Sequence, residues 1–288
     1  MSMVERCWLV KLADQMRVGM RTKRGLRFAA ACLATVQLCG SLALAQRADE
    51  DAIAKANEKK ARALLSAMVD ALGGERWATL KDETFAGRTS SFYQGKPTGG
   101  IGDYFDYRRF PDQERVEFGK KQDVAEFFLG NAGWEVTYRG KRPLPQDQLD
   151  DYLRRRDHSV ETAVRVWLKN PNTIVIFDRQ SLVERHLADE VTLINPENDS
   201  ITIEMDSQTH LPLRRSFKWR DPLYKDLNEE KEEYDDYHLL DGIQTAFTIT
   251  RFHNDDMTNQ RYLFKAAYNS NLPDSMFDVD EAAVKIKK

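Results

Sequence analysis

Cysteine is nearly absent from this 288-residue chain: Cys7, Cys32 and Cys39 are the whole supply, and all three lie in the N-terminal segment. Beyond Cys39 no intrachain disulfide and no thiolate metal site can form, so stability there must come from a packed core. Catalytic signatures are missing too. There is no G-x-S-x-G elbow, no phosphate-cradling loop and no dinucleotide glycine pattern. Positive charge is in short supply, with 43 Lys and Arg against 46 Asp and Glu. A nucleic-acid partner, whose phosphates demand a basic surface, is therefore not expected.

The one long apolar run is Phe28 to Leu44, and it follows Arg21, Lys23, Arg24 and Arg27. A basic stretch followed by an apolar one is the pattern of a secretory signal peptide, and Ala43-Leu44-Ala45 supplies the small residues at a cleavage site after Ala45. The run is at the lower limit of a bilayer span, and its A-x-A end and the polar flank Gln46-Arg47-Ala48-Asp49-Glu50 favour cleavage over anchoring. The residues before Met20 read as an over-long N-terminal extension. Residues 1–45 are thus expected to be removed, with all the cysteine, leaving 46–288 as a single domain in the periplasm. That loss takes seven basic and two acidic residues and leaves 36 against 44, a net charge of −8.

Asp51 to Leu72 reads as an amphipathic helix, with Leu64, Leu65, Met68, Val69 and Leu72 on one face and Gly73-Gly74 as its left-handed stop. From Thr84 the period changes to two. Tyr104 to Phe110, Arg115 to Phe118, Asp123 to Leu129 and Trp134 to Arg139 are short β-rich runs divided by turn residues. Pro143 and Pro145 introduce a second helix, about Asp147 to Leu168, within a helical insertion over about 145–168. Its Arg154-Arg155-Arg156 triplet is expected to face solvent. Strand-like runs then resume as Thr173 to Phe177, Glu190 to Ile194, Ser200 to Met205, Leu213 to Trp219, Lys231 to His238, Thr245 to Phe252 and Gln260 to Ala267. Roughly ten to twelve strands and two main helices imply a mainly β fold with helices (α+β), a large antiparallel sheet curled around helices.

His158, His186, His210, His238 and His253 lie on separate elements, outside any H-x-x-x-H frame. His186 and Glu190 would be i, i+4 neighbours only on a helix, and read as a surface pair. Asp157-His158-Ser159 has the residue types of a catalytic triad, but adjacency points the side chains apart. The acidic run Asn228 to Asp236 lacks the spaced ligands and glycine of a calcium loop and reads as a charged outer strand that discourages edge pairing. No catalytic residue, no metal site and no cofactor is expected.

Three stretches carry a resemblance. They are Ala63-Leu64-Leu65 through Met68-Val69-Asp70-Ala71-Leu72-Gly73-Gly74 to Trp77; Asp206 to Asp221, with Thr209 in a turn before Leu211-Pro212-Leu213-Arg214; and Tyr234 through Tyr237, Asp241-Gly242-Ile243, Phe247 and Arg251 to Asn271-Leu272-Pro273-Asp274 and Phe277. Together they resemble the LolA/LolB-like periplasmic lipoprotein carriers and their outer-membrane lipoprotein-sorting relatives. The resemblance implies an unclosed β-barrel capped by helices, an apolar cavity for acyl chains, and one cavity-facing arginine that no local motif here assigns. It also implies a carrier of a hydrophobic ligand, lipid or lipidated protein, with transient membrane contact. An alternative is a non-catalytic envelope module that uses the fold to contact a protein partner. On strand alternation, the candidates to line the cavity are Trp134, Val136, Tyr138, Phe217, Trp219, Phe247, Tyr262 and Phe264.

Overall fold

The computed structural model describes residues 50–286, so the expected signal segment lies outside the described residues. The chain divides into two units, 1–56 and 57–288; of the first, only the helical residues 50–56 are described. Helix α1 runs over residues 50–72, and the fully buried Ala61, Leu65 and Met68 fall at the spacing of one helical face. It ends at Gly73 (φ 136°) and Gly74 (φ 60°), whose amide donates to the Val69 carbonyl at 2.8 Å. A side chain at position 73 would come within 2.6 Å of the Gly242 carbonyl, so glycine is required there for space as well as for conformation. A short helix, α2 (Glu75–Ala78), buries Trp77.

Strands β1 (Asp82–Tyr93), β2 (Lys96–Pro97), β3 (Gly102–Arg109), β4 (Gln113–Phe118), β5 (Val124–Leu129), β6 (Ala132–Thr137) and β7 (Gly140–Pro143) form the first half of the sheet. Two helices, α3 (Gln146–Asp157) and α4 (Val160–Arg165), then cross to the second half. That half comprises β8 (Ile174–Val183), β9 (His186–Ile194), β10 (Ser200–Asp206), β11 (Pro212–Arg220), β12 (Leu227–Leu240), β13 (Ile243–His253) and β14 (Asp256–Tyr268). The sheet order is β7-β6-β5-β4-β3-β1-β14-β13-β12-β11-β10-β9-β8, with β2 attached to β1 alone, and every pairing is antiparallel. Two meanders therefore meet at the central β1–β14 pair, and the sheet is open at β7 and β8. This is the large, unclosed antiparallel sheet with helices that the sequence implies.

The differences in detail have local causes. The sheet has fourteen strands, more than expected, because the short β2 and β7 carry no alternation to read. The expected second helix is two helices. Ser159 leaves the helical path (φ −81°, ψ 158°) and its Oγ accepts from the Thr162 amide at 3.1 Å, so it starts α4 as an N-cap.

The packing has three parts. Helix α1 from Ala61 onward, Trp77 and α4 lie on β8–β10, where Val175, Val191, Leu193, Ile201, Ile203 and Met205 are buried to 2% exposure or less. Helix α3 sits on the concave face, with Tyr152 stacked on Phe128 at 3.5 Å between centroids. The C-terminal helix α5 (Val279–Ile286) covers the opposite face of β5 and β6 through Ala282. Phe127 and Phe128, successive on β5, thus enter cores on opposite faces.

Candidate ligand-binding site

Between the helices and the sheet the concave face is not filled. A cavity of about 670 Å³ remains over β1, β3–β5 and β11–β14, bounded by α3 and α4. That volume is in the range of small-molecule sites, about 300–1,000 Å³. Phe85, Tyr104, Val116, Phe118, Ile249 and Leu263 give it apolar wall. Its polar wall holds two ionic groups.

The first is acid-rich. Arg108 lies 2.8 Å from Glu83, 3.3 Å from Glu114 and 3.6 Å from Asp106, one guanidinium among three carboxylates. Burial pushes Glu83 up to about 8 and Asp106 up to about 7, Arg108 opposing in both cases. Glu114 is buried as well, but Arg108 and a 2.7 Å hydrogen bond donated by the Tyr152 hydroxyl hold it below the usual carboxylate range. The second group is arginine-rich. Glu232 accepts from Arg251 Nε at 2.6 Å, Arg261 Nη2 at 3.3 Å and the Tyr234 hydroxyl at 3.0 Å, with Arg215 Nε 3.7 Å away. Against the cost of burial, Arg215, Arg251 and Arg261 hold Glu232 well below its ordinary value. Burial and the neighbouring Arg261 pull Arg251 down to about 10.

Two sequence expectations are corrected by this site. The acidic run is an interior strand, β12, paired on both sides, and the alternation of its residues sends Glu230 and Glu232 into the cavity. The arginine triplet does not face solvent, because α3 lies inside the curl of the sheet. Arg154 stacks over Trp219 at 4.4 Å, Arg155 approaches Glu230 at 3.8 Å, and Arg156 donates to the Gly130 carbonyl at 2.5 Å.

None of the eight aromatic and aliphatic candidates borders the cavity. Trp134 and Val136 face the other side of the sheet and pack under α5. Tyr138, beyond the end of β6, is 65% exposed. Phe217 and Trp219 share the face of Arg215 but are covered by the helical segment: His158 stacks on Phe217 at 4.3 Å. Phe247 packs against His238. Tyr262 and Phe264 point outward because β14 is bulged. Ala86 pairs with Lys265 but the next residue, Gly87, pairs with Leu263, so Phe264 is the extra residue. Asn259, Arg261 and Leu263 face the cavity before that point, and Tyr268 faces it after. One residue of shift exchanges the two faces. The bulge needs Gly87, since a Cβ there would lie 2.4 Å from the Tyr262 carbonyl oxygen.

The histidines have structural surroundings. His158 Nδ1 is 2.8 Å from the Arg154 carbonyl, and burial lowers its pKa. His186 lies on β9 beside Asp206 at 2.9 Å and not in a helix with Glu190. Among the described residues no cluster of three or more metal-ligating side chains occurs, and no helix is long and apolar enough to cross a membrane.

No family model and no curated protein matches the sequence. Solved structures do match. A DUF1329 family protein from Desulfovibrio piger is 14% identical with a TM-score of 0.53, over 76% of this chain and 97% of that one. A domain from Vibrio parahaemolyticus, named as an outer membrane lipoprotein-sorting protein domain, is 10% identical with a TM-score of 0.51, over 81% of this chain and 100% of that one. A LolA superfamily protein from Nitrosomonas europaea is 13% identical at a TM-score of 0.47, over 76% of this chain and 98% of that one. At these identities the likeness is one of fold. The chain shares its open-sheet, helix-capped fold with the DUF1329 protein and the lipoprotein-sorting domain, the latter among the relatives that its sequence resembles.

Proposed function

We propose that the chain is a non-catalytic binding or carrier protein of the bacterial cell envelope, working in the periplasm after loss of residues 1–45 and holding a hydrophobic ligand, a lipid or the acyl chain of a lipidated protein, on its concave face. The single observation that carries this reading is the open cavity of about 670 Å³ between sheet and helices. A fold that buries Leu65, Met68, Ile201 and Ile203 completely elsewhere is capable of filling its interior and does not do so here. The wall combines aromatic and aliphatic side chains with arginines, which suits an amphiphile better than a pure hydrocarbon. The fold shared with the lipoprotein-sorting domain supports the same class of ligand without identifying its member. The alternative, an envelope module that binds a protein partner by the same fold, calls for a filled interior, and the open one favours the carrier.

The test is native mass spectrometry and lipid extraction of the full chain expressed with export to the periplasm. The reading expects a co-purifying acyl species that is released on denaturation. Protein that is empty as isolated and takes up no added acyl ligand would refute it.

A further inference from the structure

The carboxylate of Glu232 is saturated, whereas the cations around it are not. It accepts from Arg251, Arg261 and the Tyr234 hydroxyl and lies beside Arg215. Each guanidinium has five N–H groups and a charge that persists at any working pH. Arg215, whose side chain is only 4% exposed, places Nη1 on the His158 carbonyl at 3.1 Å, yet its buried Nε has no hydrogen-bond partner. The buried Nε of Arg261 has none either. Three positive charges therefore share one negative charge at the cavity wall.

The surroundings do not correct the imbalance. Glu230 is engaged by Arg155 at 3.8 Å, and Arg155 itself adds to the repulsion felt by Arg251. Asp106 is the carboxyl whose charge acts on Arg261 from β3, but it is buried beside Arg108 and Glu114 and its proton is held to about pH 7. Tyr104 is neutral, its hydroxyl pushed up to about 12 by burial. Surplus positive charge at the wall of an open cavity is relieved by an anion with several acceptor oxygens.

Resting on the carrier reading, we propose that Arg215, Arg251 and Arg261 form a head-group site for an anionic amphiphile, a carboxylate or phosphate attached to an acyl chain, whose tail lies along Val116, Phe118, Ile249 and Leu263. Lipid phosphate and free fatty acid share this chemistry, and the assay separates them. Glu232 acts as the positioning residue: it draws the three guanidiniums together and leaves their outer N–H groups free.

The experiment is a calorimetric titration of the delipidated full chain at pH 6, where Asp106 keeps its proton, with dodecanoate, dodecyl phosphate, dodecanol and inorganic phosphate. Wild type, Arg251→Gln, Arg261→Gln and the outward-facing control Arg88→Gln are compared, with circular dichroism to establish that each is folded. The expected result is at least tenfold tighter binding of one of the anionic amphiphiles than of dodecanol. That preference falls to less than threefold in Arg251→Gln and Arg261→Gln and persists in Arg88→Gln. The better of the two anionic ligands names the source. Equal binding of dodecanol and both anions by wild type overturns the head-group site and leaves the carrier reading standing. Binding of inorganic phosphate, lost in Arg251→Gln, with no binding of any dodecyl ligand, keeps the anion site and overturns the carrier. No binding of any of the four overturns both. An unfolded Arg251→Gln does not block the test, because the wild-type ratio and Arg261→Gln decide it.

Discussion

The concave face of one sheet is used in two opposite ways. Over β8–β10, α1, Trp77 and α4 close on Val175, Val191, Leu193, Ile201, Ile203 and Met205 and leave no room. Over β1, β3–β5 and β12–β14, α3 and α4 stand off and the alternating residues are Asp106, Arg108, Glu114, Glu126, Glu232 and Arg251 among aromatics. The backbone is the same antiparallel ladder in both regions. What differs is the chemistry of the inward positions: aliphatic side chains let a helix settle, and paired charges keep it away, because closing on them would remove their remaining hydration. The dry region supplies stability so that the wet one can stay open.

The contrast is broken most severely at Arg108. Arg108→Gln leaves Glu83, Asp106 and Glu114 buried without their shared cation. A loss of about 3–5 kcal/mol is expected in urea unfolding at neutral pH. Much of it should return near pH 5, where Glu114, no longer held below the ordinary carboxylate range by Arg108, takes up a proton. In the dry region Met68→Ala should cost about 2–4 kcal/mol through lost contact and a residual void. The matching truncation at the cavity wall, Ile249→Ala, should cost less than about 1 kcal/mol, since the space it opens adjoins space already open.

A pH series sharpens the same contrast. Glu83 and Asp106 have folded-state values of about 8 and about 7, above those of an unfolded chain, so the folded state holds more protons between about pH 4 and pH 8. Stability is therefore expected to fall as pH rises through that window, by roughly 4 kcal/mol from pH 6 to pH 9, and Asp106→Asn should flatten the slope. Glu114 and Glu232 act in the opposite sense, and their contribution is lost on acidification below the ordinary carboxylate range. A further small effect is at the junction of the capping helices. Ser159→Ala removes the α4 cap and should cost about 1 kcal/mol, measured by thermal unfolding, with no change in the pH slope.

The sequence makes the sheet legible and its inner lining illegible, for one reason. Alternation identifies a strand and separates two faces, but polar residues are read as the solvent side. Here Asp106 and Arg108 on β3, Glu114 on β4 and Glu126 on β5 are indeed on a wet face, and that face is the cavity. Trp134 and Val136 are on a dry face, and it is covered from outside by α5, a C-terminal helix whose 8 residues are too few to show a clear period. The glycine stop of α1 was readable because Gly73-Gly74 is a local signal. The bulge at Phe264 was not, since it depends on how Gly87 of a distant strand approaches Tyr262. The acidic run showed its charge without its partners, because Arg215, Arg251 and Arg261 come to Glu232 from three other strands.

The central claim is that the unfilled part of the concave face is where ligand binds. It is tested most directly by titrating dodecanoate into the delipidated full chain, comparing wild type with Val116→Trp, which puts an indole into the cavity, and Tyr138→Ser, which alters an exposed side chain away from it. The account predicts that Val116→Trp weakens binding at least tenfold while remaining folded, and that Tyr138→Ser binds as wild type does. Undiminished binding by Val116→Trp together with loss in Tyr138→Ser would contradict it and would move the ligand to the outer face of the sheet.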